Sequence, residues 1–317
     1  MHKNLIKIPT LDMSHEEWLE HRQRSIGGSD AAAILNLNPW KSPYSVWAEK
    51  LGKLPPKEDN EAMRQGRDLE DYVARRFSEK TGKKVRRENY IIINPSFPFA
   101  HANVDRMIVG EDAGLECKTT NALNMRKFKN GEYPANYYVQ CVHYMMITGC
   151  QRWYLGVLVF GTEFLDFVIE RDEGEIAALA QSEEEFWWYV ESQTEPPVDG
   201  AKSTTEAIGE VHSEATDTTV SLFGFDSDLD AYSALTKQIK EFERARDEIG
   251  NKVKVYLDDA SKGESDRYRV SWTQQTRSTF DTKAFKEAHP DIDLSGYYKN
   301  SSYRVFKITK NDNFKEI

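Results

Sequence analysis

The sequence contains few cysteines, no long apolar run and no hydrophobic N-terminal segment. Its longest apolar stretch, Tyr154 to Gly161, has the length of a strand, whereas a helix that spans a bilayer needs about 18 apolar residues. The three cysteines, at positions 117, 141 and 150, cannot all pair and have no metal-ligand spacing, which is typical of a reduced protein. We therefore expect a cytoplasmic protein without a membrane span or a secretory signal.

The length and composition predict a folded protein with more than one structural unit. A chain of 317 residues exceeds the roughly 100–200 residues of most domains, so one large or two moderate domains are expected. Apolar residues make up 39% of the chain and aromatic residues 12%. This content suffices for a buried core and excludes a wholly disordered chain.

The net charge of −10 is unevenly distributed along the chain. Residues 161–230 hold 19 acidic and two basic residues, a net charge of −17, whereas the remainder holds 33 acidic and 40 basic residues, a net charge of +7. Basic clusters at residues 83–87 and 126–129 suit either a solvated surface or a polyanion site. Because a polyanion responds to the local field in a cleft, the acidic total does not exclude DNA binding.

Three segments of the chain differ in composition. Residues 1–195 are rich in aromatic and aliphatic residues, and their alternating helix-like and strand-like stretches predict the main α/β domain. Residues 196–225 are acidic and rich in Ser and Thr, which favours a linker or a long loop. Residues 226–317 are expected to form a separate C-terminal domain.

The C-terminal domain is predicted to contain a helical arm and a small α/β unit. Apolar residues spaced three and four apart over 229–257 predict one long helix, with the pattern of an imperfect coiled coil. A strand over 268–274, a helix capped by Asp281 and a strand over 303–309 are expected to follow.

Two carboxylates and a lysine are predicted to meet on one hairpin. Residues 102–109 and 113–119 have strand patterns with a turn between them. Side chains at i and i+2 of a strand share a face, so Glu116 and Lys118 project together and the hairpin brings Asp105 close to them. A Mg²⁺ ion would offset the repulsion of the carboxylates, and the lysine would position an attacking water. An exposed hairpin with an ordinary ion pair has the same spacing.

Two predicted helices add side chains to this region. In the helix over 66–77, Glu70 lies at the edge of the apolar face, where a carboxylate needs a partner such as a metal or an arginine. In the helix that follows Pro134, Gln140 and Tyr144 are four residues apart and therefore share a face. They would contact a DNA phosphate or support the lysine, or serve as ordinary packing residues.

Near the N-terminus, Arg22 is followed by two glycines, Gly27 and Gly28, directly before Ser29 at the start of a predicted helix, and Ser29 is expected to be its N-cap. A helix N-terminus with a hydroxyl and a nearby arginine also suits a phosphate.

The order of these motifs, W-x3-R-x6-S, G-x3-E, D, E-x-K and Q-x3-Y, resembles that of the YqaJ-type viral recombinases. That family belongs with the lambda-exonuclease branch of the PD-(D/E)xK nuclease superfamily, and the resemblance covers roughly residues 14–195. It implies an α/β (α+β) nuclease core with a central mixed sheet flanked by helices. The C-terminal long helix and small strand–helix–strand unit would be added to this core.

The resemblance implies a two-metal nuclease site. Glu70, Asp105 and Glu116 would ligate two Mg²⁺ ions, for which Mn²⁺ would substitute. The backbone carbonyl of Cys117 would complete one metal site, and Lys118 would be the catalytic lysine. Relatives with an iron–sulfur cluster need four suitably spaced cysteines, so no cluster is expected in a chain with three scattered ones.

The resemblance also implies a substrate and partners. Gln140 would act beside the catalytic lysine at the scissile phosphate, Tyr144 would contact the DNA, and Arg22 and Ser29 would hold the 5′-terminal phosphate. Such enzymes degrade one strand of linear duplex DNA from 5′ to 3′ and pass the 3′ overhang to a single-strand annealing protein. They form homo-oligomeric rings, often trimers, and when phage-encoded they act in the bacterial cytoplasm.

The sequence departs from the family pattern beside Asp105. Val104 stands where proline is usual, and Arg106 replaces a common glycine and would either reshape the turn or contact DNA. His101 resembles a metal ligand of some relatives, but Glu70 would take that place here. A site-specific or structure-specific endonuclease of the same fold, and an inactive DNA-end-binding module, remain alternative functions.

Overall fold

The computed structural model describes residues 4–56, 59–299 and 303–309. The chain divides into two compact units, Met1–Ser213 and Glu214–Ile317. All of the motif residues considered above lie in the first unit.

The first unit alternates helices and short strands along the chain. Its elements, in chain order, are β1 (Ile6–Pro9), α1 (His15–Gln23), α2 (Gly28–Ile34), α3 (Pro43–Lys50), α4 (Glu61–Thr81), β2 (Val85–Arg87), β3 (Tyr90–Ile93), β4 (His101–Ala102), β5 (Arg106–Ile108), β6 (Ala113–Thr120), α5 (Ala135–Thr148), β7 (Arg152–Val159), β8 (Glu163–Glu170), α6 (Glu173–Glu191) and α7 (Lys202–Val211). A 3₁₀ segment with a kink, Ala122–Gly131, lies between β6 and α5.

A five-stranded mixed sheet forms the centre of this unit, with strand order β2-β5-β6-β7-β8. Strands β6 and β7 are parallel, and the other neighbouring strands are antiparallel. The parallel pair requires a crossover, which α5 supplies. A smaller antiparallel sheet has the order β1-β3-β4. The mixed sheet flanked by helices confirms the predicted fold class.

The two faces of the central sheet pack against different helices. Leu115 of β6 lies with Val73 and Phe77 of α4 in one buried cluster. A larger cluster on the other side contains buried residues of α2, α3, α5 and α6. Because side chains alternate along a strand, the neighbours of Leu115 on β6 point towards the second group of helices. This alternation aims Glu116 and Lys118 at α5.

Part of the predicted linker over 196–225 is a helix. Residues Lys202–Val211 form α7, in which Thr204 and Ala207 are buried. This helix packs against α3, and the Thr204 hydroxyl donates a hydrogen bond to Asp199. The Ser and Thr content suggested a loop, but an apolar stripe on α7 that α3 covers stabilises a helix instead.

The second unit is built on one long helix. Its elements are α8 (Asp226–Leu257), β9 (Lys262–Glu264), β10 (Arg269–Ser271) and α9 (Thr282–Ala288). The predicted long helix and the N-cap of Asp281, whose carboxylate accepts from the Ala284 backbone N–H at 2.9 Å, are both present. Among the described residues, no helix is both long and apolar enough to cross a membrane.

The last predicted strand is absent. Residues 303–309 are described, and they have no strand structure there. A strand needs a partner, and among the residues that the structure describes β9 and β10 pair only with each other. The apolar side chains of this segment instead lie largely exposed, with the Phe306 ring 5.8 Å from that of Tyr232 on α8.

Candidate active site

Strand β6 places a carboxylate and a lysine side by side. Glu116 is 3% exposed, and the Nζ of Lys118 lies 2.5 Å from its Oε1. Lys118 also donates to the Oε1 of Gln140 on α5, at 2.9 Å, and its ammonium lies over the Tyr137 ring, 5.3 Å from the centroid. Burial alone would lower the pKa of Lys118, but the carboxylates of Glu116 and Asp105 raise it above its usual value. Lys118 is therefore a cation held between two oxygens.

Asp105 reaches the same place from the other strand of the hairpin. Its Oδ2 accepts a hydrogen bond from the backbone N–H of Cys117 at 2.8 Å, which fixes the carboxylate beside β6. Burial, followed by the negative charges of Glu116 and Glu70, raises the pKa of Asp105 well above its usual value. The predicted convergence of Asp105, Glu116 and Lys118 is present, and its carboxylates repel each other.

Helix α5 continues this line of polar contacts. The amide Nε2 of Gln140 donates to the hydroxyl of Tyr144 at 2.8 Å, one turn further along the helix. Its Oε1 accepts from Lys118, so the amide cannot rotate without losing a hydrogen bond at each end. The four side chains Glu116, Lys118, Gln140 and Tyr144 thus form one connected series.

The ring of Tyr144 packs tightly against the start of α2. A Cβ atom added to Gly28 would lie 2.6 Å from a ring carbon of Tyr144, a distance that would force a shift. Only glycine allows this approach, so the double glycine of the sequence brings α2 against α5.

Arg22 and Ser29 contact each other directly at this place. The Arg22 guanidinium donates to the Ser29 hydroxyl at 2.8 Å and lies 4.9 Å from the ring centroid of Trp18. The expectation that Ser29 is the N-cap was wrong. Helix α2 begins at Gly28 with Gly27 as its N-cap. The Ser29 hydroxyl therefore does not cap the helix and instead accepts the hydrogen bond from Arg22.

A buried aspartate beneath this pair was not predicted from the sequence. Asp30 is 1% exposed, and its carboxylate accepts from Lys50 at 2.7 Å and from Lys41 at 3.2 Å. Arg22 lies 3.7 Å from it, and the backbone N–H of Gly27 donates to it at 3.2 Å. We call Arg22, Lys41 and Lys50 the cationic cluster. The position of Asp30, three residues after a Gly N-cap, was a capping-box spacing that could have marked it.

The cationic cluster controls the ionisation of Asp30. Burial alone would raise the pKa of Asp30, but Lys50, Lys41 and Arg22 hold it well below its usual value. Lys41 also pairs with Glu49, so three cations face two carboxylates and positive charge is in excess by one. This excess suits an incoming anion.

Glu70 lies across the site from Lys118 and is paired with an arginine. The Nη1 of Arg106 donates to Glu70 and also to the backbone carbonyl of Asp105, at 2.6 Å for the latter. The Nη2 of Arg106 donates to Asp71 at 2.6 Å. Arg106 is 4% exposed, so its side chain lies in the interior beside Asp105, where these acceptors hold it.

We call Glu70, Asp105 and Glu116 the carboxylate group. Among the described residues, no three Asp, Glu, His or Cys side chains are arranged as a ready metal cluster. Two observations still fit a hard cation. The buried Oε2 of Glu116 has no hydrogen-bond partner in the described chain, and burial together with the charges of Glu116 and Glu70 raises the pKa of Asp105. Oxygen ligands of this kind are those that Mg²⁺ prefers.

His101 takes part in a different network. Its Nδ1 lies 2.8 Å from the Ser25 hydroxyl, and its backbone carbonyl accepts from His143 at 2.8 Å. His143 in turn contacts the buried Glu183 at 2.7 Å. Burial, with Lys50 and Arg22 nearby, lowers the pKa of His101 well below its usual value. The neutral ring of His101 therefore contacts Ser25, while its backbone carbonyl contacts His143.

Comparison with known proteins gives consistent matches. A family model described as the YqaJ-like viral recombinase domain matches residues 17–151. The chain is 38% identical over 303 residues to the uncharacterized protein YqaJ of Bacillus subtilis (strain 168). The aligned residues cover 94% of this chain and 95% of that protein.

Several solved structures are also similar. An alkaline exonuclease from Laribacter hongkongensis is 22% identical, covering 56% of this chain and 93% of that one with a TM-score of 0.48. The structure of its complex with dAMP is 24% identical, covering 56% of this chain and 93% of that one with a TM-score of 0.49. A phage-related exonuclease from Haemophilus somnus 129PT is 13% identical, covering 54% of this chain and 96% of that one with a TM-score of 0.41.

Proposed function

Because the chain belongs to the YqaJ-like viral recombinase family, we propose that it is a Mg²⁺-dependent exonuclease that degrades one strand of linear duplex DNA from 5′ to 3′. The observation that carries the proposal is the meeting of Asp105, Glu116 and Lys118 beside Gln140. Carboxylates next to a fixed cation suit the hydrolysis of a phosphodiester, in which negative charge develops on oxygen.

The carboxylate group would hold the divalent cations. Glu70, Asp105 and Glu116, with the backbone carbonyl of Cys117, would ligate two Mg²⁺ ions, and Mn²⁺ would substitute. When bound, such ions supply Lewis acidity that lowers the pKa of water and stabilises the leaving oxygen. The unpartnered Oε2 of Glu116 and the raised pKa of Asp105 support this assignment.

Lys118 would act as a cation and not as a proton acceptor. Its raised pKa keeps the ammonium charged at neutral pH, so it has no free lone pair with which to take a proton. The ammonium would orient the attacking water and stabilise charge on the scissile phosphate. Gln140 holds Lys118 in place, and the hydroxyl of Tyr144 holds Gln140. Gln140 and Tyr144 would also contact the DNA backbone.

Arg22 and Ser29 would bind the 5′-terminal phosphate. Their side chains are already joined by a hydrogen bond, which a phosphate would replace with contacts to both. The positive excess of the cationic cluster favours an anion there. The packing of Tyr144 on Gly28 brings the start of α2, which carries Ser29, against α5, which carries Gln140.

The protein would act in the bacterial cytoplasm as a homo-oligomeric ring, a trimer being the expected form, through which the duplex passes. Its 3′ overhangs would be passed to a single-strand annealing protein. The nuclease domain would comprise residues 1–195, with residues 226–317 as a second domain. These assignments follow from the family and are tested by mass measurement in solution and by pull-down with the annealing protein.

The first experiment is a time course on linear 5′-phosphorylated duplex, with a covalently closed circle as the control substrate and Mg²⁺ or EDTA in each arm. We expect progressive loss of the linear duplex alone, and only with Mg²⁺. An end-dependent enzyme cannot begin on a closed circle, so cutting of the circle would identify an endonuclease. Binding of ends without cutting of either substrate would identify an inactive end-binding module.

A further inference from the structure

Arg106 occupies the interior beside the carboxylate group. Its guanidinium forks, with Nη1 to Glu70 and Nη2 to Asp71 at 2.6 Å, and it also donates to the Asp105 carbonyl at 2.6 Å. The side chain is 4% exposed, whereas that of Glu70 is 33% exposed. A buried arginine with three acceptors is held in one orientation, because a rigid planar fork fits few arrangements.

The positive charge of Arg106 is permanent. A guanidinium does not lose its proton in proteins, so the ion pair of Arg106 and Glu70 can open only if one of the two side chains moves. Arg106 contacts Oε1 of Glu70, and a divalent cation that uses Glu70 as a ligand approaches the same carboxylate. Two arginines share the carboxylate of Asp71, but a divalent cation carries twice the charge of a guanidinium, so its repulsion with Arg106 on Glu70 would be stronger.

We propose that Arg106 competes with the divalent cation for Glu70, so that cation binding by the carboxylate group requires the Arg106–Glu70 ion pair to open. The proposal, which rests on the cation site of the proposed function, accounts for the absence of a ready metal cluster among the described residues. While Arg106 holds Glu70, the three carboxylates are not arranged as a set of ligands.

Asp71 makes this exchange feasible. When Glu70 leaves Arg106, the guanidinium keeps its contacts to Asp71 and to the Asp105 carbonyl, so its charge is not stranded in the interior. Asp71 also pairs with Arg87, an exposed arginine on β2. Asp71 thus lies between two arginines, and only one of them contacts Glu70.

The test measures cation binding without DNA. Full-length protein stripped with EDTA is titrated with Mn²⁺ in a calorimeter, and wild type is compared with Arg106→Ala. Coupling between sites is typically 5–150-fold, so we expect roughly tenfold tighter Mn²⁺ binding in the variant. Arg87→Ala is the matched control, because it removes another positive charge from Asp71 without touching Glu70, and its Mn²⁺ affinity should equal that of wild type.

A double-mutant cycle separates competition for Glu70 from a general change in charge. In a Glu70→Gln background, Arg106→Ala should give no gain in Mn²⁺ affinity, because the contested carboxylate is absent. A gain of the same size in that background, or no gain in the wild-type background, would overturn the proposal.

A conservative variant covers the case in which Arg106→Ala does not fold. Arg106→Lys keeps the charge but replaces the fork with one ammonium, which cannot hold Glu70 and Asp71 together. It should bind Mn²⁺ a few-fold more tightly than wild type, and an unchanged affinity would contradict competition.

DNA cleavage is measured separately on the same proteins. If the wild-type protein cleaves linear duplex and the Arg106 variants bind Mn²⁺ with unaltered affinity, the competition inference is overturned and the nuclease function stands. If none of the proteins binds Mn²⁺, the inference is overturned, and the cleavage assay then decides whether the nuclease function stands.

Discussion

Asp30 and Asp105 are both buried aspartates of the same unit, yet the charges around them are opposite. Asp30 faces three cations, which hold its pKa well below the usual value. Asp105 is buried next to Glu116 and Glu70, and its pKa is raised well above the usual value. The same residue type is therefore stabilised in its charged form by cations in one place, and in the other is opposed by neighbouring carboxylates that Lys118 and the Cys117 N–H offset only in part.

The difference indicates what each place can bind. The positive charge around Asp30 would suit an anion such as the proposed terminal phosphate, whereas the negative charge around Asp105 would suit the proposed cation. The first arrangement stabilises the fold without a ligand. The second costs stability until a ligand arrives, which is typical of functional sites.

The largest expected effect comes from removing the cation that borders the carboxylate group. Lys118→Ala should lower the rate of DNA cleavage by roughly a thousandfold or more, because the charge that develops on phosphate loses a fixed partner. DNA binding, measured by fluorescence anisotropy in Ca²⁺, should change little. Lys80→Ala, which removes a half-exposed lysine paired with Asp166, should cleave at the wild-type rate. Substantial cleavage by Lys118→Ala would refute the role of this lysine.

Asp30→Asn should cause the largest loss of stability. Removing the carboxylate that pairs with the buried Lys50 should lower the free energy of unfolding by about 3 kcal/mol, as measured by urea denaturation. Because the folded pKa of Asp30 is depressed, its contribution is present above the unfolded value near ~3.9 and is lost as pH falls through the folded value. The variant should therefore lose less stability than wild type on acidification.

Arg22→Ala should have a smaller and more specific effect. The ratio of cleavage rates on 5′-phosphorylated and 5′-hydroxyl duplexes should fall about tenfold, which corresponds to one charge-assisted contact. Arg24→Ala is a suitable control, since Arg24 is the C-cap residue of the same helix and its guanidinium pairs with the exposed Glu20. An unchanged ratio in Arg22→Ala would remove this residue from phosphate binding.

The smallest effect has the opposite sign to that of Asp30→Asn. In EDTA, Asp105→Asn should raise the free energy of unfolding by roughly 1 kcal/mol, because it removes a repelled charge while the side-chain oxygen still accepts from Cys117. Since the folded pKa of Asp105 is raised, its ionisation costs stability above the folded value, and wild type should regain that stability as pH falls. A destabilised Asp105→Asn protein would contradict the contrast between the two aspartates.

The parts of the fold that depend on local periodicity were predictable. Helix α5, helix α8 and the hairpin of β5 and β6 follow directly from apolar spacing and turn residues. The convergence of Glu116 and Lys118 could be predicted from the alternation of side chains along a strand alone. The roles assigned to these residues stay predictions.

Other features depend on partners that are distant in the sequence. Arg106 could not be placed because Glu70 lies 36 residues away on α4. The burial of Asp30 depends on Lys50, which is 20 residues away on α3. The segment over 303–309 has the alternation of a strand, but none of the described strands pairs with it. The stripe on α7 forms a helix only because α3 covers it.

The close approach of Gly28 to Tyr144 has a mechanical consequence. It joins Ser29, which follows Gly28, to Gln140, which Tyr144 holds, through rigid contacts without a flexible loop between them. If Ser29 holds the strand end and Gln140 positions Lys118 at the scissile phosphate, as proposed, these contacts fix the distance between the held end and the cleaved bond. Each catalytic cycle would then release a product of constant length, because the spacing between grip and cut does not change as the strand advances.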